Sequence, residues 1–384
     1  MEPPLRALRL NTMLRRRDLL ISLTTAGVLA ACADQTGAAP TDPVPGWPGD
    51  LPTTSATWQE LPVPPMNPRR GPTLTWTGTE LLVTGGTGPV VGPTSSCPPN
   101  ADCAGPPTEP VEDSGSYDPV TATWRRFPTA NLFHHGTTWT GRLLTDGYSW
   151  FDPVTGESGL APETDLLVYA PAWWSGTEVL CVGTDGSGQP VPHTLWAWNP
   201  VTNATRTSRV PGPDSGETCF TVRAGDELLV GLTQVPDGHA GTGVFAYELA
   251  GDRWHEVPPS QDTAAFPTVP FDGWDGSRLI GIDRGAGNTP RLDRVDPTDG
   301  ARTSLELPQA LRGGEWAENV VVGPGRVAVG VGGRYAVLDG AAWTALPELP
   351  DVVDGDSLIA VWAGDRLIVW EDSGKHTGWL IQPA

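Results

Sequence analysis

Residues 74–83 read LTWTGTELLV, and six later stretches repeat that grammar: TTWTGRLL (137–144), AWWSGTEVLCV (172–182), FTVRAGDELLV (220–230), DGWDGSRLIGI (272–282), VVVGPGRVAV (320–329) and AVWAGDRLIVW (360–370). Each sets one glycine (Gly78, Gly141, Gly176, Gly225, Gly276, Gly325, Gly364) between two runs rich in Val, Leu and Trp. Short apolar runs on either side of a glycine turn read as antiparallel strands joined by a hairpin. Successive glycines stand 63, 35, 49, 51, 49 and 39 residues apart. A recurring unit of this size is one supersecondary element that must stack on its neighbours to bury its faces. The 47 Gly and 41 Pro of the chain fit a fold made of many turns.

Two further series complete the unit. An Asp-Pro-type turn follows each of the first six hairpins: YDPVTATW (117–124), FDPVTGES (151–158), WNPVTNAT (198–205), YELAGDRW (247–254), VDPTDGAR (295–302) and VLDGAAW (337–343). Proline presets φ for a type I turn, and the Asp or Asn side chain bonds back to the backbone. A strand-ending proline then recurs at Pro62, Pro128, Pro162, Pro211, Pro258, Pro308 and Pro347. The unit is therefore a four-stranded antiparallel blade. The last blade ends at its third strand, HTGWLIQPA (376–384), whereas ATWQELPVPP (56–65) is a fourth strand with no blade before it. Joining them hides two sheet edges that an open ring leaves free. The expected fold is all-β, a seven-bladed β-propeller over residues 55–384, closed by its N-terminal strand.

LLVTGG (81–86) followed by YDPVTATWRRFP (117–128) resembles a kelch-type repeat of the galactose oxidase-like propellers. The likeness extends over roughly residues 55–384, although at the end of a blade's second strand the Gly-Gly pair recurs only at Gly332-Gly333. It implies the fold and little about activity. The copper-radical site of that family needs a Tyr–Cys crosslink, a second Tyr and two His. Here His134 and His135 are adjacent on one strand and point to opposite faces. The repeated Ser-x-Asp-x-Gly-x-Thr-Trp boxes of sialidases are missing from the sequence.

Residues 1–31 read as an export signal. Arg15-Arg16-Arg17 precede an apolar stretch ending Leu29-Ala30-Ala31-Cys32, which resembles a bacterial lipobox. The resemblance implies lipidation of Cys32 and anchoring to the outer face of the bacterial cell membrane. Twin-arginine and general secretory export both fit the arginines, and Met1 and Met13 both fit as starts. Residues 32–54 then form the lipidated cysteine and a Pro/Gly-rich tether. Without residues 1–31 the chain carries 19 basic and 43 acidic residues, net −24, and Lys375 is its one lysine. Such a charge excludes nucleic acid as a partner. No other run is long and apolar enough to span a bilayer, so the anchor is the expected membrane contact.

An even set of cysteines in an exported chain points to disulfides. Cys97 and Cys103 flank a short loop, while Cys181 and Cys219 are either a pair between blades or two separate thiols. None has zinc-site spacing, and neither metal nor cofactor is expected. Counting back seven or eight residues from each hairpin glycine reaches the start of each innermost strand. Those positions hold Arg70, His134, Tyr169, Glu217, Thr268, Glu318 and Asp356, with Arg69, His135 and Trp316 beside them. The expectation is a polar, mainly acidic ring at the channel mouth. Trp173, Trp316 and Trp370 fall outside the tryptophan register and are expected at a surface where sugars stack. The insertion 86–114 is expected to cap the mouth from the first blade. The function expected is a monomeric binding or scaffolding module for an envelope glycan or protein partner. The alternative is a carbohydrate-active isomerase or hydrolase using acids such as Glu217 and Glu318.

Overall fold

The seven hairpin glycines all adopt positive φ, from +62° at Gly225 to +107° at Gly176. A Cβ built on any of them meets no atom within 4 Å, so backbone conformation alone selects glycine there. Four of the turns are braced by the residue before the glycine. The backbone N–H groups of Glu80, Leu143, Glu178 and Arg278 donate to side-chain oxygens of Thr77 (2.9 Å), Thr140 (2.9 Å), Ser175 (2.8 Å) and Asp275 (2.8 Å). The other three are two-residue turns closed by the pairs Ala224–Glu227, Gly323–Arg326 and Ala363–Arg366.

The computed structural model describes residues 51–90, 108–111, 113–128, 136–162, 167–168, 171–184, 192–212, 218–234, 241–258, 271–283, 290–311, 319–350, 357–371 and 377–383. Around these hairpins stand seven antiparallel sheets. The first blade runs Thr73–Trp76, Leu81–Thr84, Asp113–Asp118 and Thr123–Pro128. The second is cut short, with strands of two or three residues between Thr138 and Leu160. Its shortness accounts for the 35-residue gap in the repeat. The third (Trp173–Trp174, Val179–Thr184, Thr194–Trp198, Thr205–Arg209) gains an extra piece, Leu167–Val168, on its second strand. The fourth, fifth and sixth blades span Thr218–Val257, Phe271–Glu306 and Asn319–Ala345 with four strands each. The seventh has Leu358–Ala363, Arg366–Glu371 and Gly378–Ile381, and its fourth strand is Gln59–Glu60.

That last pairing closes the ring as expected. Gln59 faces Leu380 and Glu60 faces Trp379, and the Leu61 N–H donates to the Gly378 carbonyl at 2.8 Å. Just before it, Trp58 donates its indole N–H to the Pro347 carbonyl at 2.7 Å and sets its ring edge-on to Tyr335. The chain is already docked at Pro52–Thr54, where Thr53 bridges Ala345 on the outer strand of the sixth blade.

The core is the set of surfaces between blades. Seven apolar clusters occur among the described residues, one for each neighbouring pair of blades. Strand alternation feeds them. In the seventh blade Leu367 and Val369 face the sixth, while Ile368 and Trp370 face the first. This is why the second strands read as unbroken apolar runs. It also corrects one expectation and decides between two readings of Cys181. Trp370 is fully buried between the seventh and first blades and presents nothing to a surface ligand. Cys181 is a free, buried thiol. With Val179 it faces the second blade, whereas Leu180 and Val182 face the fourth, so it points away from the blade that carries Cys219. Burial, and then the charge of Asp146, raise the Cys181 thiol far above its ordinary pKa, which leaves it inert.

The outer turns follow the Asp-Pro reading. Side-chain oxygens of Asp118, Asp152, Asn199 and Asp296 accept the N–H two residues on, at 2.8–2.9 Å. Arginines of the first, third, fifth and seventh blades then reach the turn of the next blade: Arg125 to the Pro153 carbonyl (2.7 Å), Arg206 to Asp252 (2.7 Å), Arg294 to the Gly340 carbonyl (2.6 Å) and Arg366 to the Pro119 carbonyl (3.1 Å). Each turn also needs one residue at positive φ. Gly156, Gly300 and Gly340 supply it without strain, but Ala122 sits at +55°. Ala122→Gly is therefore expected to stabilise the protein by about 0.5–1 kcal/mol, and Trp58→Ala to destabilise it by about 2–3 kcal/mol. Equilibrium denaturation of both variants checks the pair; a destabilised Ala122→Gly or an unchanged Trp58→Ala contradicts the account.

Candidate functional site

One blade departs from the repeat by more than a turn. Between Thr84 and Asp113 the first blade sends out the insertion, which begins and ends as a small antiparallel ribbon, Thr87–Val90 with Thr108–Pro110. Its base is fixed by a buried cation. The Arg69 guanidinium has no exposed side-chain surface and donates to the Gly85 carbonyl (3.1 Å), the Asp113 carbonyl (2.7 Å) and the Asp113 carboxylate (2.8 Å). Gly85 and Asp113 are the two feet of the insertion, so a single side chain ties them together. Asp113 also accepts from the Asn67 N–H at 3.0 Å and pairs with the half-exposed Arg126 at 2.9 Å. Burial lowers the Arg69 pKa, and Asp113 opposes that shift. A buried charge of this kind is tolerable only when all its donors are used.

Arg70, the first residue of the expected ring, is exposed beside this clamp. Its backbone N–H and C=O exchange 2.8 Å hydrogen bonds with Thr87 of the insertion. The base of the insertion, at Thr87, therefore lies next to the start of the first blade's first strand. Arg69 was legible only as a neighbour of the ring, and here it is a structural bolt. His134, Tyr169, Glu217, Thr268, Glu318, Asp356 and Trp316 lie outside the described residues, as do Cys32, Cys97 and Cys103.

Two further charged groups lie at the glycine-turn end of the fourth blade. Arg206 of the third blade holds Glu178 through Nε and Nη2 (3.0 and 2.6 Å), and its Nη1 reaches across to Asp252 and the Tyr247 hydroxyl, which itself donates to Asp252. Burial, with Asp252 adding to it, pushes the Tyr247 phenol up to about 12, so it remains a donor in this network. On the other face of the same blade His255 stands between two carboxylates, 3.8 Å from Glu227 and 3.8 Å from Glu248. No sequence motif marks this group, because its members come from three strands. Its signal is positional: Trp254-His255 takes the place that Trp124-Arg125 holds in the first blade.

No known protein family matches this chain, and no curated protein matches it. Solved structures similar to it include the β-propeller domain of the Trilobed protease from Pyrococcus furiosus. That likeness has 11% identity and a TM-score of 0.48, over 78% of this chain and 90% of the other. Another is the uncomplexed acylaminoacyl peptidase of Pyrococcus horikoshii, with 10% identity and a TM-score of 0.48, over 82% of this chain and 51% of that one. The chain thus spans about half the length of that peptidase. The kelch-type likeness of the first blade has no family match behind it. The fold stands on the seven sheets themselves.

The clamp yields a direct test. Asp113→Ala leaves the Arg69 charge buried without its carboxylate and is expected to cost about 3 kcal/mol. Arg126→Ala removes an exposed partner and is expected to cost under about 1 kcal/mol. Urea denaturation separates them, and limited proteolysis should show faster cleavage between Gly85 and Asp113 in the first variant alone. Equal effects of the two substitutions contradict the clamp.

Proposed function

We propose that this chain is an exported protein, anchored through a lipid on Cys32 to the outer face of the bacterial cell membrane, whose propeller binds an envelope glycan or protein partner. The observation that carries the reading is the first blade. Among the described residues it alone sends out a long insertion beside an exposed ring residue, Arg70, and the buried Arg69–Asp113 ion pair fixes where that insertion starts and ends. A fixed base lets a loop present its residues with less ordering on binding, which favours recognition. Loops on a rigid scaffold are where binding residues concentrate. The strongly negative charge directs the reading to neutral or cationic ligands and away from nucleic acids.

In this reading a ligand sits at the ends of the innermost strands, with Arg70, His134, Tyr169, Glu217, Glu318 and Asp356 as polar contacts and Trp316 as a stacking surface. A thermal-shift screen of peptidoglycan fragments and envelope glycans tests it. A glycan that raises the melting temperature of the wild type is expected to lose that effect in Arg70→Ala and in the double variant Glu217→Gln/Glu318→Gln. A glycan shift that survives both variants overturns the assignment to the ring. Separately, Cys32→Ser is expected to move the protein from the membrane fraction to the soluble fraction; unchanged partition overturns the anchor.

A further inference from the structure

We infer that Glu227, Glu248 and His255 form a binding site for a borderline first-row divalent cation, with Zn2+ as the best match. The inference is independent of the proposed glycan site, which lies at the opposite ends of the strands. Glu227 opens the second strand of the fourth blade, Glu248 closes the third, and His255 lies in the fourth. Register brings them together. Glu227 and Glu248 are direct cross-strand partners, and His255 pairs with Ala246, placing it diagonally from Glu248 on the same face. One donor atom from each lies within 4.8 Å of the others. Donors that share a tetrahedral ion at about 2.0–2.1 Å stand roughly 3.3 Å apart. Three part-exposed side chains close that small difference by rotating.

Comparison among the blades separates this group from an ordinary ion pair. The first blade pairs Glu80 with Arg125 and the third pairs Glu178 with Arg206 at the corresponding strand positions. Those arginines neutralise the acid and brace the next blade's turn. The fourth blade keeps the acid, Glu227, but replaces the arginine by a histidine. It also replaces the turn residue, which is Asp118 in the first blade and Asn199 in the third, by Glu248. Asp118 and Asn199 spend their oxygens on their own turns, whereas Glu248 directs one oxygen to Arg253 at 2.7 Å and the other toward His255. Two carboxylates facing each other across a strand pair repel, and Arg253 offsets only one of them. Two carboxylates against one arginine leave the group net negative, and His255 adds a nitrogen donor, the combination that a divalent cation satisfies.

The donor set selects the metal class. Imidazole with two carboxylates suits Zn2+ and its neighbours, while Mg2+ and Ca2+ prefer oxygen alone. Three protein ligands at an exposed edge also leave a position for water.

The test is a calorimetric titration of the metal-free full chain with ZnCl2, alongside three variants. His255→Arg restores the residue that the first and third blades use and keeps the fold, as circular dichroism should show. Glu227→Gln removes one ligand, and Glu80→Gln removes the corresponding acid of the first blade. We expect one Zn2+ per chain in the wild type and in Glu80→Gln. Affinity is expected to fall at least about tenfold in His255→Arg and in Glu227→Gln, and MgCl2 is expected to give no comparable isotherm. Absence of Zn2+ uptake by the wild type overturns the site. So does an isotherm unchanged by His255→Arg, or Mg2+ bound as tightly as Zn2+.

Discussion

Everything in this molecule depends on the packing of each blade's two faces against its neighbours. A four-stranded antiparallel sheet with apolar residues on both faces has no stable existence alone, because neither face has anywhere to hide. Stacking in a ring supplies a neighbour to every face, and seven apolar clusters, one per junction, are the result among the described residues. The ring then has to be held shut at one junction without a covalent link between consecutive strands. That duty falls on Gln59–Glu60, with Trp58 and Leu61 on either side. Closing with an N-terminal strand makes the seventh blade depend on both ends of the propeller, so the weakest place in the covalent order becomes a long-range cross-link.

The blades, the turns and the closure were legible in the sequence because local backbone constraints write them. Glycine marks positive φ at Gly78 through Gly364, Asp-Pro marks the outer turns, and the phase between the proline and glycine series marks the missing strand. Burial was harder to read where it depends on which face a residue takes. Trp370 breaks the tryptophan register by position, yet counting along Leu367, Ile368, Val369 and Trp370 assigns it to the face toward the first blade. The same parity turns Cys181 toward the second blade and away from the fourth. The Arg69–Asp113 clamp was not legible, since its partners lie 44 residues apart and only the third strand's return brings them together. His255 with Glu227 and Glu248 was hidden for the same reason, though aligning the blades on Trp124 and Trp254 exposes it.

Electrostatics sits on top of this packing. The arginine struts from the first, third, fifth and seventh blades bind carbonyls or carboxylates of the following turn, so neighbouring blades are tied at their rims as well as through their cores. Where the sequence departs from those patterns, the departure is local and chemically specific. The first blade buries an arginine to fix the feet of an insertion, and the fourth exchanges an arginine for a histidine between two acids. A repeat fold makes such exceptions visible, because each blade is a control for the others.

With the N-terminal strand completing the seventh blade, the ring is expected to unfold as one unit. Native-state hydrogen exchange of the amides in Gly378–Ile381 is the decisive measurement. These amides are expected to exchange only through global unfolding, with the same free energy as amides in the middle of the fourth blade. Exchange at a much lower free energy, with the other blades still protected, would mean that the strand frays from the ring and does not hold it closed.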